Sequence, residues 1–174
     1  EELKDVKGTS EWLIALNKFK LKGTGESLLS VATNSIYETS IRQESMQILF
    51  VSNNADLLDK YLESDTSESE KMNVLALLNG INNKKAINLL TNNIAKTNVS
   101  IPIKRSLIEA LGNSRNGQKA LFSLLKKGKI EEVHKQTAVL KLMGSNDNTR
   151  LETGVSPYAV FLPHRNSMSV QTPI

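Results

Sequence analysis

The sequence predicts an all-α protein, a right-handed α-solenoid of about four to five stacked helical hairpins. Three observations lead there. Apolar residues recur at helical spacing in short runs, as in "KRSLIEALGNSRNGQKALFSLLKKG" from Lys104 to Gly128, where two runs flank a Gly/Asn-rich break. The same unit then returns along the chain at a nearly fixed interval. No segment alternates apolar and polar residues over a useful length, so no sheet is expected.

The interval is set by aligning Leu16, Leu49, Leu78, Leu111 and Leu142, which stand 33, 29, 33 and 31 residues apart. Seven residues before the last four lie Arg42, Lys71, Lys104 and Lys135, all basic. Three residues before each leucine lie Leu13, Met46, Leu75, Ile108 and Val139, all apolar. Gly80, Gly112 and Gly144 follow the last three leucines. A hairpin of this size cannot bury its own apolar face, whereas stacked hairpins can.

Taken in order, the first helix is expected near 10–20, with Trp12, Leu13 and Leu16 on one stripe. A loop at Gly23–Ser27 leads to a helix near 26–34; it is Gly-rich but lacks the lysine and preceding strand of a phosphate loop. A helix near 38–51 carries capping-box spacing at Ser40 and Gln43, and one near 68–80 carries it at Ser67 and Glu70. Between them comes a helix near 54–63. The acidic run Glu63–Glu70 lacks the central glycine of a calcium loop and is read as a feed into a helix N-terminus. A helix near 84–96 follows, then one near 101–112, where Pro102 suits the first turn. Gly112 is expected to end that helix in the left-handed conformation. Ala120, Leu121, Leu124 and Leu125 make the facing stripe of a helix near 117–127, and a last helix is expected near 131–143. Residues 1–152 form the repeat domain in this reading. Residues 153–174 hold three of the four prolines and are read as an extended linker or tail, with a short capping segment as the alternative.

Composition narrows the chemistry. Hydrophobic residues make up 39% of the 174-residue chain and aromatics only 5%, so aliphatic side chains must build the core. The net charge of +4 is mildly basic. There is no cysteine, which excludes disulfides, thiolate metal sites, cysteine nucleophiles and haem attachment through Cys-x-x-Cys-His. No run of apolar residues is long enough to span a membrane. A start at Glu1, without methionine or a signal-like segment, is read as a fragment or processed form. His134 and His164 have no partner at metal-ligand spacing, and His134 is expected to be a solvated helix-start residue. The lysines at 84, 85, 126, 127 and 129 are read as solvated caps. No nucleophile–base pair or paired carboxylates can be defended, so no catalytic residue, cofactor or metal is assigned and the chain is not expected to be an enzyme.

Helix pairs about 31 residues apart, with a basic residue seven before a leucine and a glycine after the first helix, resemble HEAT repeats over roughly residues 10–145. Armadillo and other helical-hairpin repeats are close competitors. A narrower likeness covers Ala120–Glu152, where "LLKKGKI" precedes a helix and "SNDNTR". It is similar to the helical segment of planctomycete-type membrane-bound dehydrogenases, in which HEAT repeats lie between a sugar-dehydrogenase-like propeller and a cytochrome c domain. That resemblance implies a spacer between redox modules and a periplasmic or secreted location. The HEAT resemblance implies a scaffold contacting a protein partner or neighbouring domains. The alternative is a HEAT-like nucleic-acid binder of the base-repair type, in which the basic column would meet phosphates. The column borders the apolar stripe, and HEAT repeats place a base there for packing between neighbours, so packing is the favoured role. Each basic side chain is then expected to reach the neighbouring repeat.

Overall fold

The computed structural model describes residues 6–19 and 23–144. Among these the chain is all-helical, with no strand: α1 (Ser10–Phe19), α2 (Gly25–Thr33), α3 (Thr39–Val51), α4 (Ala55–Glu63), α5 (Glu68–Ala76), α6 (Lys84–Ala95), α7 (Ile101–Gly112), α8 (Arg115–Lys126) and α9 (Glu132–Met143). The tail from 153 onward lies outside the described residues. Each helix matches one anticipated from periodicity, with small shifts at the ends that have local causes.

At α5 the expected capping box forms. Glu70 N donates to Ser67 Oγ and Ser67 N to Glu70 Oε2, both at 3.3 Å. The helix stops at Ala76, short of the expected residue 80, because the next residues tighten into i+3 turns and Gly80 takes φ +80. The box expected at Ser40 and Gln43 does not form. The N-cap of α3 is Glu38, and Ser40 Oγ bonds to the Glu38 carboxylate. The start of α8 falls two residues before the expected one because Ser114 caps it, accepting from Gly117 N at 3.1 Å.

Gly112 departs from expectation most clearly. It is the last residue of α7 and has no positive φ; Asn113 closes the helix at φ −92. Its missing side chain serves packing instead. A Cβ there would lie 2.7 Å from Lys141 Cβ, so the glycine lets α7 and α9 approach.

Helices touch in a regular order. The run α2, α4, α6, α8 packs each member on the next, as do α5, α7 and α9, and α1 packs on α3. Cross-contacts of α2 with α3, α6 with α7 and α7 with α8 join the two runs. Between them lies one core of aliphatic side chains, including Leu13, Leu28, Leu49, Leu78, Leu107 and Leu111, together with Trp12 and Phe50. Of the five aligned leucines, Leu16, Leu49, Leu78 and Leu111 are buried, whereas Leu142 is only half-buried. It sits on α9, which among the described residues packs on α7 and α8 alone.

Candidate interaction surface

The four aligned bases are held differently. Arg42, on α3, donates from Nε to the Ala32 carbonyl of α2 at 2.9 Å. Lys71, on α5, donates to the Ser64 carbonyl in the preceding loop at 2.5 Å. Lys104, on α7, is 2% exposed and pairs with Glu131, the N-cap of α9. Lys135 does not reach a neighbouring hairpin. It bonds Glu132, three residues away on its own helix, at 2.6 Å. The column is therefore not one uniform device: two members meet carbonyls, one a carboxylate across a joint, one its own turn.

A polar chain was missed in the sequence. Asn113 Nδ2 donates to Asn79 Oδ1 at 3.1 Å, and Asn116 Nδ2 to Asn82 Oδ1 at 2.8 Å. Asn79 and Asn82 follow α5, Asn113 follows α7 and Asn116 opens α8; each pair is 34 positions apart. Asn93 Nδ2 donates to Asp59 Oδ1 at 2.8 Å, again across 34 positions. Lys96 binds Asp59 at 3.2 Å and Glu63 at 2.7 Å. Burial alone would lower the Lys96 pKa, but the bonds to Glu63 and Asp59 outweigh it and raise it. The available signal was the recurrence of asparagine in successive Gly/Asn breaks.

Beside this cluster a cleft of about 430 Å³ opens between α4–α5 and α6–α7, lined by Leu62, Glu63, Lys71, Lys96, Ser100 and Ile103. The Ser100 hydroxyl is buried without a hydrogen-bond partner and does not cap α7. Both signs of charge line the cleft, so it does not present a cationic groove. On α4 nearby, the Tyr61 hydroxyl is pushed up from its ordinary pKa, first by burial and then by Glu70, against the opposing pull of Arg42.

His134 overturns its expected solvation. It is 1% exposed, and neither ring nitrogen has a hydrogen-bond partner. Register gave a mixed signal, because eight residues before the aligned leucines stand Ile41, Glu70, Ile103 and His134, and Glu70 is exposed. Ile103 is buried in α7, and His134 fills the matching slot in α9.

Among the described residues no group of three His, Cys, Asp or Glu could hold a metal ion, and no helix is long and apolar enough to cross a membrane. No family model, curated protein or solved structure matches the chain. The class the fold defines is thus an all-α protein of nine packed helices among the described residues.

Proposed function

We propose that the chain is a HEAT-like α-solenoid acting as a non-catalytic scaffold for a protein partner or for neighbouring domains. The observation that carries this reading is the spacing of bonds between helices. Asn79 with Asn113, Asn82 with Asn116 and Asp59 with Asn93 are each joined across 34 positions. Such a constant offset is what stacked hairpins of one kind produce, each contacting only its neighbours. The order of helix contacts supports the same arrangement. A rigid frame of this kind presents extended surface without requiring a reactive group. The likeness of Ala120–Glu152 to propeller–HEAT–cytochrome proteins makes an interdomain spacer the specific form of the role. A parent reading frame with Cys-x-x-Cys-His downstream supports that form; one without it removes it.

The basic column bears on the rival nucleic-acid role. Arg42, Lys71 and Lys104 are engaged by the Ala32 carbonyl, the Ser64 carbonyl and the Glu131 carboxylate. Cations held this way are poorly placed to displace counterions from phosphate. The test is a salt-dependent DNA titration of the wild type and the Lys71→Met/Lys104→Met variant, with thermal melts of both. The scaffold reading expects a changed melting temperature and weak DNA binding common to both proteins. Micromolar DNA binding that is lost in the variant, with a reduced salt slope and an unchanged melt, would replace it with the nucleic-acid role.

A further inference from the structure

A buried histidine with two unpartnered nitrogens is an uncommon choice for a slot that isoleucine fills one hairpin earlier. The neutral ring is tolerated there as a largely apolar filler. The charged ring is disfavoured, first by its burial and then by nearby cations. From α7, Lys104 and Arg105 both act against a positive charge on it. The α7 carboxylate, Glu109, lines a groove that lies toward the far ends of α7 and α9, with Gly112 and Gly144. On α8 stand Arg115, Lys119 and Lys126, and α8 has no carboxylate. On α9 itself Glu132 is bonded to Lys135. The one anion that favours a charged His134 is Glu131, which already accepts from Lys104.

We propose that His134 makes the joint of α9 with α7 and α8 an acid-sensitive latch: the neutral imidazole keeps α9 seated, and protonation unseats it. Burial, first, and then Lys104 and Arg105 hold the imidazole below its ordinary value, against the opposing pull of Glu131. An imidazole lowered in the fold is fully stabilising above the unfolded-state value of about 6.5. As the pH falls below that point, the unseated helix takes up a proton that the seated one refuses, and seating weakens until the buried ring also protonates. Glu131 responds separately. Its bond from Lys104 holds its carboxyl below the usual range, so that pair is lost only at more acidic pH. The first acid step therefore belongs to His134.

The test uses the full chain, from about pH 7.5 to about pH 5, a window that brackets the ordinary imidazole value. The His134 ring is followed by NMR, while amide exchange on α9, corrected for its intrinsic pH dependence, is compared with exchange on α4. The expected result is a depressed His134 midpoint and a several-fold acid-induced increase in α9 exchange, with α4 unchanged. His134→Ile should abolish the increase. Should that variant fail to fold, Lys104→Met serves instead, raising the His134 midpoint and shrinking the acid response. An ordinary His134 midpoint with α9 protection constant, or an acid response of α9 surviving in His134→Ile, overturns the proposal.

Discussion

Helices α7 and α9 carry aligned leucines 31 residues apart, yet α7 is buried along more of its length. α7 is packed by α5, α6, α8 and α9, while α9 among the described residues has α7 and α8. In α7, Lys104, Leu107, Ile108 and Leu111 are all buried. In α9 the matching Ala138 is buried too, but Lys135, Val139 and Leu142 are half-buried, and Val133 and Leu140 are exposed at 54% and 61%. The apolar pattern is similar, with His134 and Ala138 in place of Ile103 and Leu107, but the neighbours differ. Burial here follows from being covered on two sides rather than from the pattern itself.

Replacing the paired leucines tests this most directly. Leu111→Ala should lower the unfolding free energy by about 2–5 kcal/mol in urea titrations, as for a leucine in a core with little room to collapse. A loss well under about 1 kcal/mol would show that α7 is not the central helix. Gly112→Ala comes next, at about 1–3 kcal/mol, because its new methyl would press on Lys141 Cβ and push α9 away. If α9 were loosely seated, the same change would be nearly neutral. Leu142→Ala should cost about 1 kcal/mol, since a half-buried side chain loses part of a full transfer free energy. Equality with Leu111→Ala would mean that α9 is covered in solution by something beyond α7 and α8. Lys135→Met should matter least, shifting the unfolding free energy by no more than about 0.5 kcal/mol, as for an exposed pair within one helix.

The helices were legible in the sequence because their signals are local. Apolar spacing and the capping pairs act within a few residues, so Ser67 with Glu70 could be read directly, and Pro102 falls in the first turn as expected. Ser40 with Gln43 shows the limit: the spacing was right, but the helix began two residues earlier with Glu38 as its cap. What escaped was set by contacts between distant segments. Gly112 looked like a helix stop and is a point of close approach to Lys141. The four bases looked alike, yet Arg42 and Lys71 find carbonyls in the preceding segment, Lys104 a carboxylate at the start of α9, and Lys135 its own turn. His134 looked solvated beside Glu131, Glu132 and Lys135, because its local neighbours are polar, whereas the ring is buried with Lys104 and Arg105 of α7 acting on it.

The asparagine rungs at the turns carry a consequence for how such a chain grows. A carboxamide offers both a donor and an acceptor, so the same residue can serve as the giving or the receiving side of a rung. Asn79 and Asn82 receive from Asn113 and Asn116 without any change of residue type. A tandem duplication of one such block would arrive with a rung that fits its own copy. Copying such a block therefore asks for no second, compensating mutation at this edge.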